Sequence, residues 1–341
     1  MVERQDWRGN FPNLLDARAN KEPTELMPKK SKAPAPVRAD QSVSEAFATI
    51  MQHNFDYLLT WEGAARSWEN IEGVHQFRVT VRRMRSALSL FRNALPKSDR
   101  THWSDEMRWV AGEMGRARDL DVFISEGLSA VAEELPLSGC HGLLRLAEEH
   151  RVQAYERQVQ PMLDSERYRL FKEGFADWVE NRRWESGEPG KKQSKFLSMN
   201  MVPFSRKLMD KQERKVLAAG SHVNRNVSEE MHSLRIECKK LRYAAEFFSP
   251  MFTGMDTFIS HMKGLQDLLG LMNDVAVMHQ LLDDLLKHET DREAFVYAGG
   301  LIGWRTCDYQ HMLNRFDLFW EEFIEAKHPW WKKSALVQPG S

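Results

Sequence analysis

The chain has 341 residues, of which 42% are hydrophobic and 28% are charged, a balance typical of a globular protein with a sizeable core. The formal net charge is −1, so affinity for a polyanion would have to come from local clusters of cations. Three widely spaced cysteines argue against a disulfide framework or a zinc knuckle. No apolar run is long enough to span a membrane, and the charged N-terminus lacks a secretory signal. We expect a cytoplasmic protein without a membrane span.

Residues 1–39 contain five prolines and a cluster of lysines, which predicts an extended arm or linker. Helical periodicity begins near Asp40, with Ser42 or Ser44 as the N-cap, and continues to about residue 335. Signals for β-hairpins are missing from this stretch. Glycine, proline and charged residues interrupt the pattern from residue 185, and residues 336–341 form a short tail.

An internal repeat organises the helical region. Residues 74–85 match residues 231–242 at an offset of 157, with His75 and His232 in equivalent positions. A second match follows in the same order at an offset of 155: Met107, Arg108, Gly115 and Asp119 correspond to Met262, Lys263, Gly270 and Asp274. The sequence therefore predicts an all-α fold of two helical bundles related by duplication. The first repeat spans about 40–184, the connector about 185–203 and the second repeat about 204–335.

Each repeat carries a stripe of cations on one helix face. On a wheel of about 100° per residue, each stripe fills a sector roughly 80° wide, with apolar residues on both flanks. The stripes are His75, Arg78, Arg82 and Arg85 in the first repeat and His232, Arg235, Lys239 and Arg242 in the second. Residues 74–98 include no Asp or Glu, but five arginines and one lysine. Apolar flanks are typical of a groove between packed elements, where unpaired cations repel one another.

A bound polyanion would relieve this repulsion, and arginine offers paired donors that suit phosphate oxygens. Arg83 and Lys240 lie off the stripes and are equally compatible with surface ion pairs. Arg108 and Lys263 share a helix face with the repeated glycines and aspartates, while Arg116 and Arg118 have no basic counterpart in the second repeat. We expect Asp119 and Asp274 to hold neighbouring cations in place.

The repeated blocks resemble the CHAD domain, a histidine-named α-helical family. The resemblance rests on His75-x-x-Arg78-x-x-x-Arg82-Arg83-x-Arg85, on its second copy His232-x-x-Arg235-x-x-x-Lys239-Lys240-x-Arg242, and on the blocks around Gly115 and Gly270. It covers about residues 40–335. The resemblance implies two four-helix bundles with pseudo-twofold symmetry.

The resemblance also implies a function: inorganic polyphosphate would bind without catalysis in a basic channel between the bundles, and the protein would associate with polyphosphate granules. Sulfate or phosphate would occupy the same site, and no cofactor or metal is expected. The binding set carried over from the motifs is His75, Arg78, Arg82, Arg83, Arg85, Arg108, His232, Arg235, Lys239, Lys240, Arg242 and Lys263, with Arg116 and Arg118 as weaker members. Many relatives carry an N-terminal CYTH triphosphatase domain, whose Glu-x-Glu-x-Lys pattern is missing from residues 1–39.

Three other functions compete with this interpretation. A metal-dependent phosphohydrolase could use His75 and His232 as ligands, but the residues around both histidines are basic and would repel a metal cation. Nucleic acid could bind the cations and stack on tryptophans, yet Trp61, Trp68 and Trp103 fall in helical segments that predict packing. A helical scaffold could present its basic face to an acidic protein.

Overall fold

A computed structural model describes residues 34–186 and 190–331, and helix follows helix through both ranges. The predicted all-α class is confirmed. The described residues contain no strand, and one isolated bridge joins Ser42 to Asn200. The predicted arm lies outside the described residues up to position 33, as do positions 187–189 of the predicted connector and the tail.

The α-helices in the described ranges are α1 (Val43–Ala65), α2 (Ile71–Leu90), α3 (Lys97–Glu113), α4 (Gly115–Val122), α5 (Cys140–Ala154), α6 (Gln160–Asp164), α7 (Glu166–Glu180), α8 (Lys191–Leu197), α9 (Met201–Gly220), α10 (Ser228–Phe248), α11 (Met255–His261), α12 (Lys263–Leu285), α13 (Arg292–Leu313) and α14 (Phe316–Ile324). Short π-helical turns extend α4 over Phe123–Leu128 and join α5 to α6 over Tyr155–Val159.

The first helix begins where the sequence predicts. Ser42 is the N-cap of α1, and its hydroxyl accepts a hydrogen bond from the Glu45 amide at 3.2 Å. The Glu45 carboxylate in turn accepts one from the Ser42 amide at 2.8 Å. This reciprocal capping box satisfies two amides that a helix start would leave without partners, and so it sets the beginning of α1.

A cluster of aromatic rings joins the two halves of the chain. Phe47 of α1 lies 5.2 Å from Phe91 and 4.9 Å from Trp184, measured between ring centroids. Phe91 also lies 5.2 Å from Phe204 of α9, in the second half. Trp184 is 1% exposed, and its indole donates a hydrogen bond to Ser44 at 2.8 Å. The hydrophobic core therefore runs without interruption between the halves.

The predicted connector is more ordered than its composition suggests. It includes a helix, α8, and α9 begins at Met201, just before the predicted start of the second repeat. Gln193 of α8 donates to the carbonyl of Ala94 at 3.3 Å, which holds the segment against the end of α2.

The second pair of matched helices differs in where the helix breaks. In the first half the break falls at Met114, directly before Gly115. In the second half it falls at Met262, so that α12 runs straight through Gly270. Equivalent motif residues therefore lie at a helix start in one half and in a helix interior in the other.

The tryptophans pack against protein groups. Trp61 and Trp103 are buried in α1 and α3, and Trp109 lies under the guanidinium of Arg167 at 4.1 Å from its ring. Trp68 does not lie in a helix as predicted, because it falls in the turn between α1 and α2, but the predicted packing is confirmed by its contact with the Tyr155 ring at 6.3 Å. Within the described ranges, no helix combines the length and apolar character needed to cross a bilayer.

Two glycines of α12 provide a matched test of packing. A Cβ on Gly264 would lie 2.3 Å from the buried Phe319 ring, whereas a Cβ on Gly270 would meet nothing within 4 Å. We expect G264A to lower the free energy of unfolding by about 1–3 kcal/mol through overpacking. G270A should leave it unchanged or raise it by about 0.4–1 kcal/mol, since alanine restricts the unfolded chain. Urea unfolding of both variants checks this, and equal stabilities would contradict it.

Candidate functional site

The two basic helices lie against each other. α2 contacts α10, α2 contacts α4, α10 contacts α12, and α4 contacts α12. His75 is the fifth residue of α2 and His232 is the fifth residue of α10, so the two motifs occupy the same position in their helices. The fold thus brings these four motif-bearing helices into one neighbourhood, while Arg108 lies on α3.

Four half-buried cations from both halves form a group that we call the central cations: Arg78, Arg82, Arg235 and Lys239. Burial, followed by the nearby positive charge of Arg82, lowers the pKa of Arg78 to about 10. Burial also lowers the pKa of Arg235, again with a contribution from Arg82. Because Arg82 belongs to α2 and Arg235 to α10, the two stripes converge.

The pKa of Lys239 is also strongly perturbed. Burial, followed by the charges of Arg235 and Arg82, lowers its pKa to about 8. A lysine whose pKa is lower in the folded state than in the unfolded state destabilises the fold while it is charged. This cost is fully present below about pH 8 and is relieved as pH rises from there toward the ordinary lysine value of 10.5. At neutral pH the folded protein therefore carries a positive charge on Lys239 that lowers its stability.

The central cations have few protein partners. In residues 34–186 and 190–331, Arg82, Arg235 and Lys239 form no side-chain hydrogen bond or ion pair. Arg78 donates from Nη1 to the carbonyl of Ala111. The Nε atoms of Arg78, Arg82 and Arg235 are buried without a hydrogen-bond acceptor, as is Nε of Arg85. Nε of Arg83 and of Arg151 is also buried without an acceptor, but these two arginines have carboxylate partners. The central cations therefore differ from them in having no carboxylate at ion-pair distance within the described ranges.

Asp119 and Asp274 act electrostatically on this group, but neither carboxylate forms an ion pair in the described ranges, so their role in holding the cations stays a prediction. Burial raises the pKa of Asp119, while the charges of Arg78, Arg116 and Arg118 oppose that rise. The charge of Asp274 acts on Arg235 and Lys239. Four cations and two carboxylates leave two positive charges uncompensated within the group. Asp119 and Asp274 also border a cavity of about 120 Å³ between α4 and α12. An anion would avoid this acidic cavity and approach from the cationic side.

The off-stripe cations and one stripe member are paired with carboxylates. Arg83 is 9% exposed and lies 3.5 Å from Glu246, with its guanidinium over the Phe247 ring. Arg242 contacts the same Glu246 carboxylate at 2.7 Å and donates to Gln266 at 2.9 Å. Lys240 lies 2.6 Å from Glu237, which also accepts from Gln212. Arg83, Lys240 and Arg242 thus have structural partners within the protein.

The remaining predicted residues differ in their exposure and in their partners. Arg108 forms an exposed ion pair with Asp105 at 2.6 Å. Burial lowers the pKa of the half-buried Arg85, and the charge of Arg108 is the second cause. Arg116 pairs with Asp284 of α12 at 3.0 Å. The half-buried Arg118 contributes to the field around Arg78 and Asp119. His75 is half-buried, whereas His232 and Lys263 are exposed.

The repeated glycines leave room at the site. A Cβ on Gly115 would lie 3.5 Å from the Arg78 guanidinium, which is an ordinary contact. A Cβ on Gly270 would meet nothing within 4 Å. Neither glycine is required for a close backbone approach among the described residues. In the same part of the chain, no three His, Cys, Asp or Glu side chains are grouped as metal ligands.

Sequence reasoning missed a buried polar network behind the site. Asp121 is fully buried and accepts a hydrogen bond from the Tyr155 hydroxyl at 2.8 Å, with Arg151 at 3.9 Å. Burial raises the pKa of Asp121 to about 6. The network ties α4 to the helix region that carries Tyr155. The run Arg118-Asp119-Leu120-Asp121 contains two aspartates, but the sequence does not tell which of them is buried by another helix.

The chain is similar in sequence and in fold to one family of α-helical domains. The family model of the CHAD domain matches residues 49–283. The uncharacterized proteins MT2285 and Rv2226 of Mycobacterium tuberculosis are each 29% identical to the chain over 249 residues. That match covers 71% of this chain and 46% of each relative, so the chain spans about half the length of the curated relatives it matches.

Two solved structures share the fold. The CHAD domain from the plant Ricinus communis is 24% identical, with a TM-score of 0.73 over 88% of this chain and 99% of that one. PptA from Streptomyces chartreusis is 16% identical, with a TM-score of 0.61 over 82% of this chain and 100% of that one.

The neighbouring arginines of α2 allow a direct test of pairing. We expect R83M to lower the free energy of unfolding by about 1–3 kcal/mol, because it removes a nearly buried ion pair and a ring contact. R82M keeps the apolar stem and removes a charge without a partner, so stability should stay within about 0.5 kcal/mol or rise. Urea unfolding measures both. An R82M variant as destabilised as R83M would contradict the assignment of Arg82 as unpaired.

Proposed function

Because the chain belongs to the CHAD domain family, we propose that it binds inorganic polyphosphate non-catalytically at the central cations. The observation that carries the proposal is the convergence of Arg82, Arg235 and Lys239 from two helices without a carboxylate partner among the described residues. A linear polyanion would supply the acceptors that the fold leaves out. Residence in the cytoplasm, at polyphosphate granules, is part of the same proposal.

The chemistry of these side chains suits phosphate oxygens. A guanidinium presents parallel donors that engage two oxygens at once, and charge-assisted bonds of this kind are stronger than neutral ones. Arg78, Arg82 and Arg85 span about 10 Å along α2, at 1.5 Å per residue. That length accommodates several phosphate units in a row, which favours a polymer over a single phosphate.

Binding, as opposed to turnover, is the simpler use of this site. Arginine keeps its proton near neutral pH and serves neither as a general acid nor as a general base. The carboxylates of Asp119 and Asp274 face the arginines, where they orient the donors and moderate their repulsion.

We further propose that the two basic helices are halves of a duplicated site. The equivalent positions of His75 and His232 support this, as do the matching contacts of α2 with α4 and of α10 with α12. The cross-contacts of α2 with α10 and of α4 with α12 are those expected of a pseudo-twofold arrangement of two bundles.

Removing the unpaired cations should abolish tight binding. In the triple variant R82A, R235A, K239A, each lost bond is worth about 1.5–3 kcal/mol. Even with substantial non-additivity, affinity for long-chain polyphosphate should fall at least about 100-fold. Calorimetric titration at several salt concentrations measures this, and wild-type affinity should fall steeply with salt by analogy with DNA.

The control for this experiment is the triple variant R157A, K287A, R292A, which removes three exposed cations from other elements. It should bind like the wild type. Heparin and single-stranded DNA serve as competing ligands. Unchanged affinity in the central variant, or equal wild-type affinity for all three polymers, would refute the proposal.

Lys239 should make binding depend on pH. With a pKa of about 8 in the free protein, Lys239 loses its charge as pH rises from 7 to 9, and a bound anion favours the charged form. Affinity should therefore decrease over this range, and binding near pH 8 should take up protons. Calorimetry in buffers of different ionisation enthalpy detects the uptake. K239R, which stays charged, should remove most of the decrease, and an equal decrease in K239R would contradict the assignment.

A further inference from the structure

A third basic face, outside the predicted site, lies on α9. Lys207, Lys211 and Arg214 have the spacing i, i+4 and i+7, which is the spacing of Arg78, Arg82 and Arg85 in α2. This spacing confines the three side chains to a sector roughly 60° wide. All three are exposed, and Lys215 lies beside them. We call Lys207, Lys211 and Arg214 the α9 face; Lys215 is not part of it, because it forms an ion pair with Glu237 of α10 at 3.8 Å.

In the described ranges the two carboxylates of α9 form no ion pair with this face, and both have other partners. Asp210 accepts hydrogen bonds from the indoles of Trp330 and Trp331 at 2.7 and 2.5 Å. Glu213 is 5% exposed and forms an ion pair with His328. Both acids are thus tied to the last described turn of the chain.

A cation from another helix adds to the α9 face. Arg92, exposed just after the end of α2, is the largest cause of a lowered pKa at Lys211, followed by burial and by the charges of Lys215 and Arg214. Within the described ranges, Lys207, Lys211 and Arg92 have no carboxylate within ion-pair distance. A surface of one sign, built from two elements, attracts a polymer of the opposite sign.

α2 connects this face to the central cations. Arg78 and Arg82 lie in its first two-thirds, and Arg92 lies just beyond its end. Ten residues separate Arg82 from Arg92, or about 15 Å if the helical rise continued. A polyphosphate chain longer than the central group can therefore follow α2 outward.

We propose that the α9 face, together with Arg92, anchors the outer part of a long polyphosphate chain whose inner part lies on the central cations. This inference rests on the proposed function and adds a preference for chain length. Short chains occupy the central cations alone, and long chains gain further contacts on the surface.

The test compares tripolyphosphate with long-chain polyphosphate on the full-length protein. The variant K207A, K211A, R214A should bind tripolyphosphate like the wild type and long chains about 10-fold more weakly or worse. Its slope of log affinity against log salt for long chains should shrink by about 2, since three phosphate contacts are lost at about 0.7 each. R92A should act in the same direction with a smaller effect. The matched control is again R157A, K287A, R292A, and melting temperatures verify folding.

Each outcome separates the two proposals. Unchanged long-chain affinity, with tripolyphosphate binding intact, would overturn the α9 face and leave the central site standing. Equal weakening for both lengths would also overturn it, because the face would then act on the central site itself. If the variant lost as much affinity for heparin as for long-chain polyphosphate, the face would be a generic cationic surface, and the proposal would be overturned. No binding of either polyphosphate by the wild type would overturn both proposals.

Discussion

The contact between α2 and α10 is the constraint on which this molecule depends. It helps to bury Arg235 and Lys239, which lowers the pKa of both, and it places Arg82 close enough for its charge to lower them as well. Like charges in a partly buried setting oppose folding. The helices stay together because a continuous core lies beneath them, including the rings of Phe91, Phe204 and Phe248, and burial of apolar area outweighs the repulsion. The repulsion is thus imposed by packing and is available to be relieved by an anion.

Whether a cation is structural or free for a ligand depends on the carboxylate that reaches it. Arg82 and Arg83 are adjacent in sequence, yet only Arg83 faces Glu246, and that carboxylate also holds Arg242. Other charged groups of the described residues also have partners inside the protein, such as Asp121 with Tyr155 and Asp210 with two indoles. Half-buried cations without a carboxylate partner, such as Arg82, are the pattern expected where function competes with stability.

The central cations and the α9 face differ in their exposure to water, and this difference gives them different physical roles. Half-buried guanidinium groups interact strongly because the surrounding dielectric is low, and they are already oriented by their neighbours. Exposed lysines contribute less per contact, but they act over a longer range and are screened by salt. A flexible anionic polymer can use both surfaces at once, since α2 reaches from one to the other. The half-buried central cations would supply most of the affinity, and the exposed α9 face would attract the polymer from solution.

The sequence by itself determined the helical class, an N-cap at Ser42 or Ser44 and the face of each helix that carries the stripe. These properties are local, because capping and the 3.6-residue period depend only on neighbours along the chain. The equivalent placement of His75 and His232 followed from the repeat for the same reason. Only the tertiary structure decided that Glu246 pairs with Arg83, that Asp121 is the buried acid and that the helix breaks fall at Met114 and Met262. A helical wheel gives the direction of a side chain about its own axis, whereas pairing requires the position of another helix, which the packing of the whole core sets.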